Sequence, residues 1–138
     1  MDTSCARILR AVGCGATAVL ALTSCTGTQD PQAASVAEGL LTAVAERDGV
    51  SACTLLAPAA RAELEDTSGK PCDQAVLEED LGEASSSPAV QVFDSMAQVR
   101  FSSGTLFLSR FDGEWLVVGA ACTPRPGDQP YDCSIQVS

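Results

Sequence analysis

The side chains that could do chemistry are few, and they first establish which reactions lack their parts. The chain contains no histidine, so a Ser-His or Cys-His nucleophile pair cannot be assembled, and the imidazole ligands common in zinc sites are missing. There is no G-x-S-x-G elbow and no Gly-rich phosphate loop ahead of a helix. The run Glu78-Glu79-Asp80 is the nearest approach to paired carboxylates; consecutive residues on a helix diverge, so a solvated face is expected there instead. Arg100 and Arg110 fall inside strand patterns and offer an anion site on a concave sheet face, against the plainer expectation of exposed or paired arginines. Phe93, Phe101, Phe107 and Trp115 are the candidates for an apolar ligand pocket, or else core. With four Phe, one Trp and one Tyr in all, packing is expected to use most of them.

Cysteine is the other reactive type. Seven are present, without any C-x-x-C, and the spacings Cys53 to Cys72 and Cys122 to Cys133 match no zinc pattern. No metal and no cofactor is expected. The position of the first three points elsewhere. Arg7 and Arg10 make a short basic head, followed by the uncharged, Ala/Val/Leu-rich stretch 11–24. That is the pattern of a secretory signal, and it is shorter than the roughly 20 apolar residues of a membrane-spanning helix. Its end, Leu22-Thr23-Ser24-Cys25, resembles the lipobox of bacterial lipoproteins. The resemblance implies diacylglycerol on the Cys25 thiol, cleavage after Ser24, and often a further acyl chain on the new amino group. Two or more chains give stable anchoring where one is marginal.

On this reading residues 1–24 are the signal peptide, 25–34 a lipidated flexible tether and 35–138 one domain. Cys5 and Cys14 leave with the signal, and Cys53, Cys72, Cys122 and Cys133 remain. An even count in an oxidising compartment implies two disulfides, with three connectivities open. The pairing Cys53–Cys72 and Cys122–Cys133 is favoured because each pair brackets a loop-containing segment. After Cys25 the six cations Arg47, Arg61, Lys70, Arg100, Arg110 and Arg125 face seventeen Asp and Glu. So acidic a surface repels phosphate backbones and anionic headgroups, which argues against nucleic acid and against a basic membrane patch.

The elements that would position these residues follow from periodicity. Val36, Leu40 and Val44, joined by Ala37, Leu41 and Ala43, mark an amphipathic helix over 33–48, closed by Asp48-Gly49. Ser51 is a cap for a short second helix, Pro58 suits the first turn of a third that runs to Thr67, and a fourth is expected over 73–81. Residues 83–88 break the pattern. Then 89–93, 97–101, 105–111 and 114–120 read as strands separated by Asp94-Ser95, Ser102-Ser103-Gly104 and Asp112-Gly113, with Ser134–Ser138 as a short fifth. Helices followed by a strand meander make an α+β fold, with N-terminal helices on one face of a curved antiparallel sheet of four to five strands.

The segments 53–65, 68–72, 105–124 and 130–133 together resemble a group of small actinobacterial lipoproteins to which no activity is assigned, and the element order looks like the NTF2-like, cystatin-related cone. That shape hosts both enzymes and inert binding modules. Its isomerase type uses an Asp base with a Tyr and a protonated Asp, and its dehydratase type uses His. This chain lacks His, and its single Tyr131 falls in the C-terminal loop, so neither pattern transfers. The expectation is a non-catalytic domain anchored to the outer face of the cell membrane that binds something or assists another envelope protein, its specific role unassigned. The alternatives are a binder of a small apolar ligand in the sheet's concave face, and an enzyme of unrecognised type.

Overall fold

The computed structural model describes residues 29–85 and 87–137. The expected leader, the Cys25 lipid and the start of the tether lie outside the described residues. What is described is an α+β arrangement of four helices and a five-stranded antiparallel sheet that is not closed.

Helix α1 spans Gln29–Ala45. Ala33, Ala37, Leu40, Leu41 and Ala43 are buried along one face, with Val36 and Val44 packed at its margin. The helix begins earlier than the pattern suggests. Residues 29–32, ahead of the expected helix start at 33 and within the expected tether, are helical, and Ala33 is a core residue with no exposed surface. The helix ends where Arg47, not a glycine, takes the left-handed conformation (φ 64°) and Asp48 N–H donates to the Ala43 carbonyl. Gly49 serves a different purpose: a Cβ there would run into the Asp73 carbonyl, so its absence lets α2 and the start of α4 touch.

Helix α2, Gly49–Leu55, is capped by Asp48 and not by Ser51. The Ser51 N–H and hydroxyl both donate to the Asp48 carboxylate, at 3.0 and 2.6 Å. Helix α3, Pro58–Ser68, has Pro58 in its first turn and Gly69 at φ 67° as its stop. Helix α4 is a single turn, Cys72–Ala75, where a helix to residue 81 was expected. Ala75, Val76 and Leu81 are all buried, and no single face of a regular helix presents positions 75, 76 and 81 together; the chain unwinds into turns to bury all three.

The sheet order is β1–β2–β3–β4–β5, with β1 Ala89–Phe93, β2 Met96–Phe101, β3 Gly104–Phe111, β4 Glu114–Cys122 and β5 Ile135–Gln136. The three hairpin turns fall where the sequence places them. Asp94 (φ 54°), Asp112 (φ 50°) and Gly113 (φ 89°) adopt the left-handed values that tight two-residue hairpins require. Register alternation sends Ala97, Val99, Phe101, Leu106, Leu108, Trp115 and Val117 to the helix side. A bulge near Phe107 bends β4 before it meets β5. The β4 edge is then completed from two sources. The α2–α3 linker bridges Leu56 to Val117, with Ala57 N–H donating to the Val117 carbonyl at 2.8 Å, and β5 pairs with Gly119 and Ala120.

Candidate functional site

All four described cysteines are joined, as Cys53–Cys72 and Cys122–Cys133. The first ties α2 to α4. The second pins the C-terminal loop to the end of β4, where Thr123 and Asp132 exchange backbone hydrogen bonds of 2.8 and 2.9 Å. Among the described residues no group of three or more His, Cys, Asp or Glu is arranged to hold a metal. The run Glu78-Glu79-Asp80 lies on turns and not on a helix. Glu78 pairs with Lys70 at 2.6 Å, while burial, with a smaller contribution from Glu78, pushes the Glu79 carboxyl above the usual carboxylate range.

Phe93, Phe101, Phe107 and Trp115 do not form one pocket. Strand alternation divides them: Phe101 and Trp115 are buried against the helices, while Phe93 and Phe107 stand on the opposite, outer face. Phe107 meets the ring of Tyr131 edge-on at 5.0 Å between centroids, and Gln98 donates to the Tyr131 hydroxyl at 3.2 Å, so the C-terminal loop covers this half of the outer face. The same alternation separates the two arginines. Arg100 is exposed on the outer face, reaching Gln91 at 3.5 Å. Arg110 turns inward, its guanidinium carbon 5.0 Å from the centre of the Trp115 ring. Together they make no anion cradle.

Two surfaces remain as sites. One is a groove of about 570 Å³ between α1, the end of α2 and the β3–β4 turn, walled by Pro31, Val36, Leu55, Gly113 and Leu116 and reaching the edge of Trp115. Beside it the Nε of Arg110 and the Nε1 of Trp115 are buried without a hydrogen-bond partner. Among the described residues its one charged lining residue is Glu114, which suits neutral ligands better than anionic ones. The other surface is the open half of the outer sheet face. The register aligns Phe93, Met96, Ser109 and Leu116 across four strands, with Phe111 beside them at the turn end. Phe93 is 63% exposed, Met96 48% and Phe111 41%. Large apolar side chains gathered on one face mark a contact surface more often than a solvated one.

Sequence reasoning missed the part played by Leu56–Ala57 at the β4 edge, which no local pattern announces, and the Tyr131 contact, which joins residues far apart in sequence. Among the described residues no helix is long and apolar enough to cross a membrane. No protein-family model, curated protein or solved structure matches the chain.

Proposed function

We propose that the chain is an exported lipoprotein, cleaved after Ser24 and held at the outer face of the cell membrane by lipid on Cys25, whose domain binds an envelope protein without catalysing a reaction. The basic head, apolar stretch and Leu-Thr-Ser-Cys box support the address, and two disulfides fit an extracytoplasmic protein. The absence of histidine and the separation of the arginines support a binding role over catalysis. Helices stacked on one face of an open five-stranded meander support a relation to the NTF2-like cone, here without closure.

The observation that carries the binding role is the exposed apolar row Phe93–Met96 on a sheet face that, among the described residues, no helix covers. Its test is a photoreactive side chain at position 93 or 96 of the full chain, expressed in its host. The expected result is a crosslink to one discrete protein, absent when the same group replaces Val50, which is as exposed but lies on α2. No crosslink, or the same products from both places, contradicts the reading. A second reading, a small apolar ligand, rests on the groove at Trp115. Binding there would change the emission of the chain's single Trp and be lost on Leu55→Arg.

A further inference from the structure

The two edges of the sheet are treated differently, and the difference points to a partner for one of them. The β4 edge is filled by Leu56–Ala57, by β5 and by the Thr123–Asp132 bridge. The β1 edge is paired on its β2 side only, and among the described residues nothing occupies its other side.

The direction of the unpaired groups follows from the turn. In a two-residue hairpin the residues flanking the turn exchange both hydrogen bonds, and hydrogen-bonded pairs then alternate along the ladder. Phe93 and Met96 flank this turn, so Phe93, Gln91 and Ala89 direct their backbone groups toward β2, and Val90 and Val92 direct theirs outward. The Ser95 carbonyl, which accepts from Arg110 N–H at 2.9 Å, has the parity that this alternation requires in the next ladder.

Proteins guard such an edge with charge, proline or a bulge. None of these lies within Ala89-Val90-Gln91-Val92-Phe93, in a chain whose net charge is −10. The strand is instead complementary to itself. Placed antiparallel to a copy about Gln91, Val90 meets Val92 of the copy on the helix side, while on the outer face the small Ala89 meets the large Phe93, and Gln91 meets Gln91.

We propose that β1 is a dimerisation edge, at which two copies of this chain pair antiparallel about Gln91 and join their sheets into one continuous sheet. Val90 and Val92 exchange backbone hydrogen bonds across the interface. Phe93, half of the exposed row, is then partly covered by Ala89 of the second copy, and the apolar rows of both copies line one platform. Assembly of this kind does not depend on the lipid or on an envelope partner. The strand β1 carries no charge of its own, although Arg100 of β2 reaches Gln91 beside it; each copy is strongly acidic, so added salt screens the overall repulsion and strengthens pairing.

The test uses the full chain purified from membranes in detergent. Sedimentation should give a protein dimer, favoured by salt. Val90→Pro removes an outward N–H while sparing the β2 ladder, since proline is tolerated at an edge facing away from its neighbour; it should give a monomer whose disulfides and circular dichroism match the parent. Gln91→Cys sits on the two-fold axis at a close non-hydrogen-bonded pair, and mild oxidation in the membrane should link two copies, whereas Ser109→Cys two strands away should not. A monomeric parent, a Val90→Pro chain that still dimerises, or linkage through position 109 but not 91 would overturn the proposal. Dimerisation with a crosslink from 93 to a second copy of the chain alone, and none from 96 to another protein, would leave it standing and remove the envelope-partner reading alone.

Discussion

Truncating Trp115 offers the most informative single perturbation of the fold. The ring is 97% covered, lies at the hairpin end of β4 against α1, and carries the Arg110 guanidinium 5.0 Å from its centre. Loss of a buried Trp to Ala costs about 3–5 kcal/mol. The arginine contact accounts for about 0.5–1 kcal/mol of that, against a total stability of about 5–15 kcal/mol for a domain. Trp115→Ala should therefore fold marginally. The ring nitrogen sharpens the reasoning: Nε1 has no hydrogen-bond partner, so Trp115→Phe gives up volume but no hydrogen bond, and should cost about 1–2 kcal/mol. Urea unfolding of the disulfide-intact protein, followed by circular dichroism because the variants lack the only Trp, reads both. A Trp115→Ala midpoint equal to the parent's would refute the placement of the ring, and Trp115→Phe as damaging as Trp115→Ala would refute the claim that its nitrogen is unpaired.

Gly113→Val should destabilise through backbone strain alone, about 1–3 kcal/mol, since φ is 89° and a side chain there meets nothing within 4 Å; Gly49→Ala, at an ordinary φ but against the Asp73 carbonyl, should do worse, and equal unfolding midpoints would contradict the contrast. Mass spectrometry of unreduced, alkylated protein should join Cys53 to Cys72 and Cys122 to Cys133, and Cys53→Ala with Cys72→Ala should cost about 3 kcal/mol in the chain-entropy treatment; alkylation of all four would contradict the pairing. Acid should weaken the start of α2, because the side-chain hydrogen bond from Ser51, then its backbone N–H, hold the Asp48 carboxyl below its usual 3.8. A depressed folded value means the contribution is present above the usual value and lost as pH falls through the lower one; Asp48→Asn should keep the cap and abolish that acid dependence, measured from the Ser51 amide resonance, and an unchanged titration would contradict it.

The legible parts of the fold were those governed by local periodicity and turn chemistry. The strands needed only their alternation and three turns, one of them Asp112-Gly113, whose left-handed backbone is a property of those two residues. Boundaries set by tertiary contact were not legible. Residues 29–32 look like tether until the helix is seen to extend ahead of its apolar stripe, and the fourth helix gives way because Leu81 has to reach the core. The aromatic candidates failed as a group for a simple reason: residue type marks them as apolar, while face depends on register, which parts Phe93 from Trp115. The open β1 edge became visible only once the β4 edge was seen to be filled by a helix linker.

The claim on which the rest of the functional account stands is export with lipid on Cys25, and intact-mass spectrometry of the full chain recovered from host membranes tests it in one step. The expected result is a protein that begins at Cys25, heavier than residues 25–138 by the mass of the attached acyl groups, with Cys25→Ala found in the medium or as unprocessed precursor. A membrane-bound protein that retains residues 1–24, or one whose Cys25 thiol is free, would contradict it.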